Sequence, residues 1–226
     1  MNRDLKFHSR KYLNETISCS VQLTKLDIVC TANLKRDLLF WGSRSGKNYF
    51  RFKIPSGLEI RVLTAVENKN SIAIGCKDGT LLLINYLKKQ VIQTFALSFK
   101  LIIIMDLFPP YMAYNSASGH LFVGACNSNI EVLKITQNQD GVVTMKPVSH
   151  NIKQQGIRCL YCFEKEKVFV SAHDNQFLRV WNAQKLEVID TVPAKISQAF
   201  CLSIDPQSKQ IAVADFQSTS FSLLTS

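Results

Sequence analysis

Five stretches of the chain share one order of apolar and polar positions. They are LLFWGSRSGKNYFRF (38–52), SIAIGCKDGTLLLIN (71–85), HLFVGACNSNIEVLK (120–134), KVFVSAHDNQFLRVW (167–181) and QIAVADFQSTSFSLL (210–224). Each is a short apolar run, a small residue, a polar turn and a second apolar run. The runs are too short for packed helices and rich in Val, Ile, Leu, Phe and Tyr, so they predict strands joined as hairpins. With Gly42, Gly75, Gly124, Ser171 and Ala214 as markers, the intervals are 33, 49, 47 and 43 residues.

A period near 40–45 residues with several strands per unit is the pattern of propeller blades. Another apolar run precedes each hairpin: KLDIVCTA (25–32), IRVLTAV (60–66), KLIIIMDLF (100–108), IRCLYCF (157–163) and AFCLSID (199–205). A further run follows four of them: LEIRVL (58–63), QVIQTFAL (90–97), GVVTMKPV (141–148) and LEVIDTV (186–192). The expectation is an all-β chain of about five four-stranded antiparallel blades, as a partial or open ring. Residues 1–14 form a tail, and the propeller covers 15–226. Its blades fall near 25–62, 60–97, 98–148, 156–193 and 198–226. The segment ETISCSVQL (15–23) either closes the last blade or is an outer strand left from a blade upstream.

The runs VFV, LFV, IAI and LIII do not alternate. Strands buried on both faces read this way, and blades stacked face to face bury both faces. Asp78-Gly79 and Asp174-Asn175 suit tight turns at the rim.

Composition agrees with a packed core. Apolar residues make up 46% of the 226 residues and charged residues 19%, which argues against wholesale disorder. The opening MNRDLKFHSRK does not read as a secretory leader, and LIIIMDLF is too short to cross a bilayer. Seven scattered cysteines suit reduced thiols in the cytoplasm, or in the nucleus, better than a disulfide framework. The net charge of +10 is lopsided: residues 1–100 hold 17 Lys/Arg against 7 Asp/Glu, whereas 101–226 hold 10 of each. Such asymmetry points to an acidic partner surface.

Ser171, Asp174 and Trp181-Asn182 make the chain resemble the WD40-repeat family, which has Ser and Trp-Asp at such places. His150 stands where that family has the histidine of its Gly-His pair. The resemblance implies that His150, Ser171, Asp174 and Trp181 are scaffolding residues joined by hydrogen bonds. Asn175 occupies the place of the family's turn aspartate, and Ser149 that of its glycine. Nine glycines, about 4% of the chain, are fewer than the usual ~7%. The family usually has seven blades.

Several local patterns resemble catalytic or metal motifs but lack their geometry. Gly42–Lys47 is one residue short of a phosphate loop, and a strand follows it instead of a helix. Cys159 and Cys162 lie three apart on a strand, so their thiols point to opposite faces. Glu164 and Glu166 sit among lysines in a turn. No catalytic residue, metal site or cofactor is expected, and the chain is read as a non-catalytic scaffold for other proteins. A candidate partner-binding rim comprises Arg44, Lys47, Lys77, Asn127, His173 and Asn175. A candidate basic patch comprises Lys35, Arg36, Arg44, Lys47, Arg51 and Lys53. That patch suits an acidic protein segment, and it carries the alternative function of recognising RNA or phospholipid phosphates.

Overall fold

A computed structural model describes residues 16–55, 57–98, 111–124, 130–148, 152, 157–163, 166–173, 176–194, 199–205, 210–215 and 221–224. β1 (Ile17–Leu23), β2 (Ile28–Asn33), β3 (Asp37–Gly42) and β4 (Asn48–Lys53) form the first antiparallel sheet. β5 (Ile60–Val66), β6 (Ser71–Cys76), β7 (Thr80–Asn85) and β8 (Gln90–Ala96) form the second. β9 (Tyr111–Asn115), β10 (His120–Gly124), β11 (Glu131–Gln137) and β12 (Val143–Pro147) form the third. β13 (Ile157–Cys162), β14 (Val168–His173), β15 (Phe177–Asn182) and β16 (Glu187–Pro193) form the fourth. β17 (Ala199–Ile204), β18 (Ile211–Asp215) and β19 (Phe221–Leu224) form a three-stranded fifth.

The first strands of the sheets, β1, β5, β9, β13 and β17, pack against one another in succession around an axis. β1 and β17 do not pack in this way, so the ring is open. Among the described residues, an apolar core fills the gap between each pair of successive blades. The second blade shows why its strands are continuously apolar. Ile72, Ile74, Leu82 and Ile84 point into the core shared with blade 1. The alternate residues Ala73, Leu81 and Leu83 point into the core shared with blade 3. A strand flanked on both sides must be apolar at every position. Each fully buried Leu or Ile contributes about 1.5–3 kcal/mol.

Blade 1 corrects the sequence reading. Segment 15–23 does not close the last blade: β1 pairs antiparallel with β2, with Val21 opposite Cys30 and Leu23 opposite Ile28. Its sequence alternates because only one face meets a neighbour. Cys19, Val21 and Leu23 pack into the first core, while Ser18, Ser20 and Gln22 are exposed. The first blade therefore begins at β1, and LLFWGSRSGKNYFRF is its outer hairpin rather than its central one. Gly42 ends a third strand, whereas Gly75 and Gly124 lie on second strands. Strand pairing makes Ala32, Gly75, Gly124, Ala172 and Ala214 equivalent, at intervals of 43, 49, 48 and 42 residues. The short interval of 33 thus arises from a marker placed one strand too late. The run KLIIIMDLF lies outside the described residues, and the first strand of blade 3 is Tyr111–Asn115.

The small residue at the end of a second strand has a packing reason in blade 3. A Cβ on Gly124 would lie 2.3 Å from the Tyr111 ring. Gly124→Ala is expected to cost about 1–3 kcal/mol by overpacking, read as a lower urea midpoint with an unchanged slope.

Candidate functional site

Polar joints lock the blades at fixed angles. Glu67 of blade 2 accepts from the Thr24 amide (2.5 Å), the Thr24 hydroxyl (2.9 Å) and the Lys25 amide (3.1 Å) of blade 1. Thr64 donates to the Met112 carbonyl, and Gln93 exchanges two hydrogen bonds with the Met145 backbone, tying blade 2 to blade 3. Glu131 accepts from the Ser98 amide and hydroxyl, both at 2.9 Å. Asn115 and His120 bind blade 3 to backbone carbonyls of blade 4.

His120 Nδ1 lies 2.6 Å from the Ala183 carbonyl, which only accepts, so Nδ1 carries the proton. Burial lowers the His120 pKa, the Ala183 bond opposes this, and the nearby Lys134 adds to the lowering. A base with a lowered native pKa stabilises the fold fully above its ordinary value of about 6.5 and loses that contribution as pH falls through the native value. Wild-type stability is expected to drop on acidification below about pH 6.5, and His120→Asn to flatten that part of the profile, as read by thermal melts across pH.

Blade 4 contains a hydrogen-bond chain. Trp181 Nε1 donates to Ser171 Oγ at 2.7 Å. Ser171 Oγ lies 2.8 Å from His173 Nε2, and Arg179 Nη1 lies 2.9 Å from His173 Nδ1. His173 is 2% exposed, so the structure removes it from the rim, where sequence reading put it. It sits at the end of a second strand, and its ring turns inward to Ser171. His150 and Asp174 lie outside the described residues, as do Asn127 and Asn175. Blade 1 contains the same joint: Trp41 Nε1 donates to Thr31 Oγ1 at 2.9 Å. The signal was present as a Ser/Thr-to-Trp spacing of ten residues in both blades, hidden by the misplaced phase of blade 1.

The basic set is not one patch. Arg44 and Lys47 occupy the β3–β4 turn, while Lys35 and Arg36 occupy the β2–β3 turn at the opposite end of the blade. Lys53 lies opposite Asp37 in the β3–β4 pairing, at the Lys35 end. Several cations have carboxylate partners: Arg44 with Asp27 (3.3 Å), Arg51 with Asp37 (3.4 Å) and Lys77 with Glu59 (3.4 Å). Lys77, in the β6–β7 turn, shares the Lys35 end, so the rim read from sequence is likewise divided between two ends.

The described thiols are all free. Burial pushes Cys19 up to about 11 and Cys76 and Cys159 up to about 12. It also raises Cys30 and Cys162. Such thiols are protonated and poor nucleophiles. Cys162 packs toward blade 3 and Cys159 toward blade 5, on opposite faces of β13. Among the described residues there is no group of His, Cys, Asp or Glu suited to hold a metal ion, and no helix long and apolar enough to cross a membrane.

No family sequence model and no curated protein matches the chain. Solved structures do match. The β-propeller domain of Cps50 (Swd1) from Myceliophteria thermophila superposes with a TM-score of 0.69 at 10% identity, covering 92% of this chain and 65% of that one. U3-55K gives 0.70 at 14% identity, covering 95% and 62%. The WD40 repeats of RRP9 give 0.67 at 13% identity, covering 90% and 58%. The fold is that of a WD40 β-propeller. The chain spans about two thirds or less of the length of these structures. Among the described residues, Ser-to-Trp or Thr-to-Trp joints occur in blades 1 and 4.

Proposed function

We propose that the chain is a non-catalytic scaffold that holds other proteins, within a larger complex or a larger polypeptide. The observation that carries this reading is the stack of blades fixed by apolar cores and polar joints, with charged turns displayed at both ends. Rigid elements carrying exposed loops are suited to recognition, since little order is lost on binding. The Trp181–Ser171–His173 chain serves as scaffolding in blade 4. Phosphate recognition as a general property of the basic set has no comparable support, because its cations lie at both ends and several are matched by carboxylates.

Affinity purification of the tagged full chain with chemical cross-linking tests the reading. Cross-links from other proteins are expected at the turns of one or both ends, surviving in high salt. Recovery of no protein above a tag-only control would contradict it, as would reproducible substrate turnover by the purified chain.

A further inference from the structure

We propose that the end of blades 1 and 2 carrying Arg44 is a docking surface for an acidic, leucine-containing peptide segment of a partner protein; this names a partner class for the scaffold reading and rests on it. Four turns build the surface: 24–27, 43–47, 67–70 and 86–89. Contacts within and between the blades hold them together. Ser43 donates its amide to the Asp27 carbonyl at 2.7 Å, and Tyr86 donates its amide to the Asn70 carbonyl at 3.2 Å. Glu67 joins the first turn to the third, and Lys89 Nζ sits 4.4 Å from the Phe50 ring, joining the fourth to blade 1.

These turns carry Lys25, Arg44, Lys47, Lys69, Lys88 and Lys89 against Asp27 and Glu67, an excess of four positive charges. Both carboxylates are already engaged, Asp27 by Arg44 and Glu67 by Thr24 and Lys25. Among the described residues, the corresponding turns of blades 3 and 4 carry Lys167 and Lys185 against Asp140 and Glu166. The positive excess thus belongs to blades 1 and 2 and not to blades 3 and 4. Apolar groups stand among the cations: Leu26 is 41% exposed, Leu87 57% and Tyr49 53%.

Beside Lys25 lies a cavity of about 290 Å³, lined by Thr24, Lys25, Glu67, Asn68, Tyr114 and Ser116. Lys25 and Glu67 offset each other there, so the cavity suits an uncharged polar side chain. The Tyr114 hydroxyl is buried without a partner in good geometry, although Asn68 is close enough to affect its ionisation.

The chemistry separates a peptide from other polyanions. Arg44, though exposed, makes a 3.3 Å contact with Asp27, and the other five cations are lysine point charges. Those match dispersed carboxylates better than planar, bidentate phosphate recognition. Among the described residues, Tyr49 is the one exposed ring of the four turns and their flanks, too few for a base-stacking track. A concave cavity on the same surface fits a peptide side chain, whereas a flat lipid surface would leave it unfilled.

The test uses an array of synthetic peptides composed of Glu, Leu and Ser in varied order, probed with the fluorescently labelled full chain. Acidic, leucine-containing members are expected to bind. Lys47→Glu/Lys88→Glu is expected to weaken them at least ten-fold, and Lys35→Glu/Arg36→Glu, at the other end, less than two-fold. All four side chains stand in turns, and a thermal melt confirms that each variant folds. Equal loss in both variants, no binding above a Ser-only array, or tighter binding to phosphatidylserine vesicles or single-stranded RNA would overturn the proposal. Cross-links from protein partners confined to the Lys35 end would also overturn it while leaving the scaffold reading intact.

Discussion

Phe169→Ala is expected to lower the unfolding free energy by about 3–5 kcal/mol, read from urea denaturation. Phe169 is fully buried in the core between blades 3 and 4. Its ring lies 4.2 Å from that of Phe122 in blade 3 and 5.5 Å from that of Trp181 in its own blade, nearly parallel to the latter. Truncation removes both contacts and leaves a void walled by two rigid sheets, which cannot collapse to fill it. Domains of this kind are stable by only about 5–15 kcal/mol in total, so the variant should be only marginally stable. Phe169→Leu keeps most of the volume and should lose much less. A loss below about 1 kcal/mol for the alanine variant would mean that blades 3 and 4 do not share this core.

Asn115→Asp should be comparably damaging, and its cost should depend on pH. Asn115 is 0% exposed. Its amide nitrogen donates to the carbonyls of Phe163 (2.8 Å), Glu166 (2.6 Å) and Val168 (3.3 Å), and its oxygen accepts from the Ser118 amide at 2.8 Å. Aspartate has the same shape but presents a carboxylate to three carbonyl oxygens. An uncompensated buried charge of this sort costs about 3–5 kcal/mol. The buried acid would have a raised native pKa, so the unfolded chain loses its proton first. The penalty therefore grows as pH rises from about 3.9 through the native value and levels off above it. Stability relative to wild type should be better at pH 5 than at pH 7.5. A penalty independent of pH would show that the side chain does not face those carbonyls.

These two residues differ in how far sequence could reveal them. Phe169 lies in VFV, whose unbroken apolar character announces a strand covered on both faces. The same is true of IAI and LFV, which is why the second strands of blades 2, 3 and 4 are legible along with the all-β class. Asn115 is a polar residue at a strand end and looks like any turn residue until the neighbouring blade supplies its carbonyls. Glu67, Glu131 and His120 share that trait, since each joint is made by chain 43, 33 or 63 residues away. Sequence patterns report local period and burial, not which distant backbone group faces a side chain.

The phase of blade 1 is hidden in the sequence for a related reason. β1 alternates polar and apolar because it has one covered face, so it resembled a spare strand instead of the start of a blade. That error moved Arg44 to the wrong end, merged two charged rims into one and concealed the Thr31–Trp41 joint. The charge excess in residues 1–100 was legible, but its division between two ends depends on which turns point together.

Nuclear Overhauser contacts in the isotope-labelled chain test the blade phase and the open ring most directly. Cross-strand contacts are expected between Val21 and Cys30 and between Leu23 and Ile28, with β1 next to β2. Contacts placing β1 beside residues 221–224 would instead mean a ring closed by its terminal strand, which contradicts both the blade phase and the open ring.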